Sequence, residues 1–117
     1  MALAAAPAAD RMLDALGDRT RRRVLERLDR GPLPVNEIAA GLPITRPAVS
    51  QHLKVLRDAG LVVDRTEGTR RYYRANPAAV ETLRAYLDRF WGRALAAFQA
   101  AAEREARRER AHRRRHR

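Results

Sequence analysis

Residues 45–60 read Thr45-Arg46-Pro47-Ala48-Val49-Ser50-Gln51-His52-Leu53-Lys54-Val55-Leu56-Arg57-Asp58-Ala59-Gly60, and the fold turns on this stretch. Thr45 is a helix N-cap, because its hydroxyl accepts from an otherwise unpaired N–H of the first turn. Pro47 falls in that turn, where a missing N–H costs nothing. Val49, Leu53 and Leu56 recur at i, i+4, i+7 and make one apolar stripe. Gly60 stops the helix in a left-handed conformation. The opposite side shows Arg46, Ser50, Gln51, Lys54 and Arg57, with no acid among them. A short, capped helix with such an outer face suits a DNA major groove. The candidate DNA contacts on it are Thr45, Arg46, Ala48, Ser50, Gln51, His52 and Lys54, with packing beside the following hairpin as the other reading of His52.

Upstream, Val35-Asn36-Glu37-Ile38-Ala39-Ala40 reads as a short helix ended by Gly41-Leu42-Pro43. Helix, tight turn and capped helix make a helix-turn-helix. Downstream, residues 61–66 form an apolar, β-branched strand, Glu67-Gly68 a turn, and residues 69–74 a returning strand. A basic hairpin directly after a recognition helix is a wing, and it adds Arg70 and Arg71 to the candidate contacts.

These motifs, together with Ala15-Leu16-Gly17-Asp18-Arg19-Thr20-Arg21-Arg22-Arg23-Val24-Leu25, Ala48-Val49-Ser50-Gln51-His52-Leu53-Lys54-Val55-Leu56, Gly60-Leu61-Val62 and Gly68-Thr69-Arg70-Arg71-Tyr72-Tyr73, resemble the ArsR/SmtB-type bacterial winged-helix repressors. The resemblance covers residues 10–100. It implies a homodimer that binds a twofold-symmetric DNA operator and represses transcription, often of its own operon. The family's metal sensors carry Cys pairs before the recognition helix, or Asp, His and Glu ligands on the last helix. Here Leu33-Pro34-Val35-Asn36-Glu37 holds no thiol, and no His lies between Asn76 and Arg110. The chain is thus similar to the cysteine-free branch: no metal and no cofactor are expected, and there is room for an unidentified small-molecule inducer.

Composition bounds the rest. A chain of 117 residues, 45% apolar, makes one domain with a modest core. A formal charge of +11 asks for a polyanionic partner, and charge alone admits DNA, RNA or an anionic membrane. No stretch reaches the apolar length of a membrane span. Zero cysteines exclude disulfides, thiolate metal sites and thiol redox switches, and fit a cytoplasmic protein.

The expected order is α-α-α-α-β-β-α: mainly helical with a small hairpin, and dimeric through its terminal helices. Residues 1–9 read as a flexible leader, residues 10–102 as the DNA-binding and dimerisation domain, and residues 103–117 as an Arg-rich extension. A first helix is expected over 10–16 with Leu13 and Leu16 inward. Asp18 should cap a second helix running to about Arg30, with Val24, Leu25 and Leu28 inward. Arg21, Arg22 and Arg23 are read either as phosphate contacts or as a solvated face pairing with Glu26. Asn76 and Pro77 open a long last helix carrying Val80, Leu83, Leu87, Phe90, Ala94 and Ala97, widened by Tyr86, Trp91, Leu95 and Phe98. That stripe is wider than a small core needs, so Leu13, Leu16, Leu83, Leu87, Phe90, Trp91, Ala94 and Phe98 are the dimer candidates; the alternative is that the aromatics complete the monomer core.

Residues 103–117 hold eight Arg and three Glu, a formal +5 that leaves +6 for the remainder. Glu–Arg pairs extend the helix to about Arg110, and like-charge repulsion disorders the residues beyond it. This tail either attracts phosphates nonspecifically or serves only solubility. His112 and His116 have the spacing of a metal pair but lack a third ligand. Nothing supports catalysis: carboxylates are scattered among Arg, and Ser50 has no base–acid pair, so the chain is not expected to be an enzyme. Two functions compete with the repressor, a nonspecific nucleoid-type nucleic-acid binder and a ligand-responsive activator on the same scaffold.

Overall fold

The structure, a computed structural model, describes residues 6–116. The elements are α1 (Ala6–Leu16), α2 (Arg19–Glu26), β1 (Leu33–Pro34), α3 (Val35–Ala40), α4 (Arg46–Asp58), β2 (Val62–Glu67), β3 (Arg70–Ala75) and α5 (Pro77–Arg115). The strands form one antiparallel sheet in the order β1-β3-β2. The expected order lacked β1, whose two residues pair Leu33 with Tyr73 and Pro34 with Tyr72. A strand this short has no alternation to read, and its proline is tolerated because β1 lies at the sheet edge.

Both ends of α4 follow from their cap chemistry. The Thr45 hydroxyl accepts from the Ala48 N–H at 3.2 Å. At the other end Gly60 has φ +80°, its N–H donates to the Arg57 carbonyl, and the Leu61 N–H donates to the Leu56 carbonyl, both at 2.9 Å. This pair of bonds is a Schellman ending, which meets carbonyls that the last turn would otherwise leave open. Val49, Leu53 and Leu56 are fully buried, with Ile38 of α3, Val24 and Leu28 of the α2 region, and Val62 of β2 around them. The helix-turn-helix is therefore held by its own core.

Asn76 joins two parts of this frame. Its Oδ1 accepts from the Ala78 N–H at 3.1 Å, capping α5, while its Nδ2 donates to the Gly60 carbonyl at 2.9 Å. One side chain thus starts the last helix and fastens the exit of the recognition helix.

Three boundaries before α5 differ from expectation. Helix α1 begins at Ala6, and its inner face is Ala9, Met12 and Ala15. Leu16 packs partly on the core, but Leu13 is exposed, because the buried i, i+3, i+6 line runs through Ala9, Met12 and Ala15 and leaves Leu13 one residue round the helix from it. The leader expected over 1–9 lies in its first part outside the described residues. Helix α2 stops at Glu26 rather than Arg30, since the chain tightens into i→i+3 turns (Leu28 N–H to the Leu25 carbonyl at 3.0 Å, Gly31 N–H to the Leu28 carbonyl at 3.2 Å) before Gly31 at φ +134°. The hairpin turn falls on Gly68 and Thr69, one residue later than the pattern indicated, with Gly68 at φ +62°.

Arg22 and Arg23 lie on an exposed face, as one reading had it, but none of Arg21, Arg22 and Arg23 pairs with Glu26, and Arg21 and Arg22 find backbone partners. Their Nη1 atoms donate to the carbonyls of Ala15, at 3.1 Å, and Leu16, at 2.6 Å. They meet the open carbonyls at the end of α1 and place positive charge at its negative pole. Asp18 caps α2 as expected, and the Arg21 N–H at 2.9 Å holds its carboxyl below the ordinary carboxylate value.

The chain divides into two units, Met1–Leu83 and Arg84–Arg117. Taken by itself, the described part of the second is a single helix that runs on to Arg115, past the point where disorder was expected. Ion pairs one turn apart, Glu105 with Arg108 at 3.7 Å and Glu109 with Arg113 at 3.6 Å, offset part of the like-charge repulsion. Phe90, Trp91, Leu95 and Phe98 are all exposed along it, Trp91 by 54% and Phe98 by 75%.

Candidate nucleic-acid interface

The buried stripe of α4 dictates what its other side presents. With Val49, Leu53 and Leu56 inward, Arg46, Ser50, Gln51 and Lys54 are exposed and Ala48 is half-buried. Thr45 is exposed too, but its hydroxyl is occupied by the cap. His52 is half-buried, and it adds to the lowering of the Asp18 carboxyl, behind the larger effect of the Arg21 N–H.

The hairpin sets its charges by strand alternation. Asp64, Thr66, Arg71 and Tyr73 share one face through the pairs Asp64 with Tyr73 and Thr66 with Arg71. Glu67 and Arg70 share the other, as do Arg65 and Tyr72. Arg71 donates from Nε to the Asp64 carboxylate and lies over the Tyr73 ring, 5.5 Å from its centroid. Hydrogen bonding to Asp64 raises the Arg71 guanidinium above its ordinary value. The same carboxylate, only 21% exposed, lies 3.9 Å from the Arg57 guanidinium. Asp64 therefore ties the wing to the last turn of the recognition helix. It also draws both arginines away from a free outward role. Arg70, on the opposite face, is exposed and forms no ion pair among the described residues.

Asp64 went unmarked in the sequence. The usable signal was an acid two places before the residue facing Arg71, which alternation puts on the same face as that arginine.

A concavity of about 340 Å³ joins the pieces: Pro34, Val35 and Asn36 at the start of α3, Arg46 at the start of α4, and Thr69, Arg70 and Arg71 at the wing. Three guanidinium groups and the polar groups of Asn36 and Thr69 line one surface. That is chemistry for an anion with extended hydrogen-bonding edges.

The dimer candidates fall into two groups. Leu16 and Leu83 pack against the core cluster, so much of their apolar surface is already covered. Leu13 on α1, and Leu87, Phe90, Trp91, Ala94 and Phe98 on α5, are exposed. Phe90 and Trp91 meet edge to face, 5.4 Å apart. Among the described residues, no group of three or more His, Cys, Asp or Glu side chains is placed to hold a metal. The rings of His112 and His116 meet at a tilt of 51°, 4.3 Å between centroids, on the outer part of α5. No helix of the described residues is long and apolar enough to cross a membrane.

Known proteins share this arrangement. Residues 16–65 match the model of a helix-turn-helix domain. The HTH-type transcriptional regulator Rv2034 of Mycobacterium tuberculosis is 57% identical over 89 residues, covering 76% of this chain and 83% of that protein. The transcriptional repressor SdpR of Bacillus subtilis is 33% identical over 67 residues, 57% of this chain and 74% of that protein. Among solved structures, an ArsR-like transcriptional regulator from Rhodococcus superposes with a TM-score of 0.71 at 32% identity, covering 82% of this chain and 93% of that one. The homodimeric winged helix-turn-helix DNA-binding domain of Mb0332 from Mycobacterium bovis does so with a TM-score of 0.63 at 31% identity, covering 80% and 86%.

Proposed function

Since the chain belongs to the ArsR family of winged helix-turn-helix transcriptional regulators, we propose that it is a homodimeric repressor acting on an inverted-repeat operator in the cytoplasm. The observation that carries this reading is the concavity between α4 and the wing. It unites Arg46 with Arg70 beside a helix face whose amide and hydroxyl groups, on Gln51 and Ser50, match base edges. Helix α4 enters the major groove, where Arg46 and Gln51 on its first turns reach deepest. Arg pairs with guanine and Gln with adenine through two hydrogen bonds each. Lys54 and Arg70 contact phosphates.

A homodimer is required because one short helix carries too few contacts for tight, specific binding. Leu87, Phe90, Trp91, Ala94 and Phe98 supply the apolar area for it on α5, and Leu13 adds an exposed leucine on α1. An inducer is expected to release the DNA.

The test is a footprint on the chain's own upstream region, followed by affinity for the protected fragment against random DNA of equal length. A repressor prefers the fragment by about a thousandfold or more. Equal affinity for both would leave a nonspecific nucleic-acid coat as the function. Raised rather than lowered transcription from the bound promoter would make the protein an activator.

A further inference from the structure

A second concavity, of about 590 Å³, lies between the end of α2, the turn into β1 and the turn joining α3 to α4. Its volume is that of a small-molecule site. Pro32, Leu33 and Leu42 give it apolar lining, and Arg23, Arg27 and Arg30 bring guanidinium groups spaced i, i+4, i+7 to it. Glu26 and Asp29 also line it, yet none of these five charged side chains forms an ion pair among the described residues. The cationic charge is thus not cancelled by pairing.

Arg27 is the telling residue. Its Nη2 donates to the Glu37 carbonyl at 2.9 Å, meeting an open carbonyl of the six-residue α3, while its Nε is buried without a hydrogen-bond partner. A Cβ added at Gly41 would collide with this guanidinium, so the glycine leaves the gap through which Arg27 reaches the helix-turn-helix. A buried donor left unmet costs stability until a partner satisfies it. A guanidinium offers its fork of donors best to a planar or tetrahedral oxyanion.

We propose that this groove binds a small organic oxyanion, a carboxylate or phosphate monoester on an apolar body, and that Arg27 couples its occupancy to the helix-turn-helix. The oxyanion engages the Arg27 fork with Arg23 and Arg30 beside it, and the apolar body lies on Leu33 and Leu42. Arg27 then leaves the Glu37 carbonyl. The end of α3 and the turn that positions α4 lose their staple, and DNA affinity falls. The coupling rests on the protein's being a repressor; the binding does not.

Amide NMR of the full chain, titrated with benzoate and with phenyl phosphate, tests the binding. Saturable shifts are expected at Gly31, Leu33, Gly41 and Leu42, weakened at least tenfold in R27Q and in R23Q/R30Q. The double variant removes only exposed side chains outside the staple, so it keeps the test sharp if R27Q folds poorly. One probe binding without the other assigns the site to carboxylates or to phosphate esters. Inorganic phosphate binding as tightly as phenyl phosphate, shifts confined to Ser50, Gln51 and Arg70, or no saturable shift would each overturn the site. For the coupling, saturating probe should weaken affinity for the footprinted fragment at least tenfold in the native chain and leave R23Q/R30Q unaffected. Binding without that loss would overturn the coupling. Failure to prefer the fragment over random DNA when no probe is present would instead defeat the repressor reading, and leave the NMR result standing.

Discussion

The two helices on which the proposed function rests reach helical structure by opposite means. Helix α4 has 13 residues, a cap at each end and three apolar side chains with no exposed surface. Helix α5 has 39 residues, and beyond Leu83 none of those described is buried. Most helical stability in proteins comes from packing an apolar face rather than from propensity. Helix α4 finds that packing within its own chain, whereas α5 displays two phenylalanines, a tryptophan and leucines for which its own unit offers no cover. In the proposed function α4 is the recognition surface, rigid before DNA arrives, and α5 the proposed assembly surface, left open for a second copy.

The sharpest way to break this comparison is W91E. In the proposed dimer it places a charge among apolar groups, a cost of several kcal/mol unless the subunits separate. Sedimentation should show a folded monomer or a much weakened dimer. Affinity for the footprinted fragment should fall by about a thousandfold, to the nonspecific level. A variant that remains a tight dimer would remove Trp91 from the interface and turn attention to Leu13 and α1.

Base readout by α4 is next in size. Replacing Arg46 or Gln51 with Ala should cost about 1–3 kcal/mol on the cognate fragment and relax the preference at one base pair. Fluorescence anisotropy on cognate and random duplexes decides the matter: equal losses on both would demote the residue to a phosphate contact.

A smaller effect separates the two wing arginines, which the sequence presents as equivalent. R70A should lower the slope of log affinity against log salt by about one. R71A should leave that slope nearly unchanged, because Asp64 already holds the guanidinium. D64N should steepen it by releasing Arg71, and raise affinity for random DNA. If R70A and R71A flatten the slope alike, Asp64 does not restrain Arg71 in the complex.

The slightest expected change is in the outer part of α5. E109Q removes one exposed ion pair with Arg113 and should cost about 0.3–0.5 kcal/mol of helix stability. Circular dichroism of the variant against the native chain measures it, and a large loss of helix would make the pair far more important than its exposure implies.

How much of this the sequence disclosed depends on the range of the interactions involved. The caps at Thr45, Asp18 and Asn76, the stripe of α4 and the stops at Gly60 and Gly68 are local, set by residues within a turn of one another, and were all legible. Leu13 was misplaced because an 11-residue helix fits two registers, and burial by other elements chooses between them. Strand β1 was missed because two residues carry no periodicity. The candidate DNA face was readable on α4 itself; the hold of Asp64 on Arg71 needed the folded arrangement. The bonds of Arg21 and Arg22 were missed for the same reason, since their partners are backbone carbonyls, which every residue offers and no sequence marks.

Those carbonyl contacts bear on how the basic charge of +11 acts. Arg21, Arg22 and Arg27 each close the end of a helix, at Ala15, Leu16 and Glu37. Bonds of this kind, short-range and directional, persist at ionic strengths that screen long-range attraction to a polyanion. Rising salt therefore divides the guanidinium groups into two populations. Those directed at phosphate lose their hold as counterions crowd in, and those seated on carbonyls go on acting as mortar between helices. A lysine exchanged for Arg22 would keep the charge and lose the fork, so replacement at constant charge separates cation from cement.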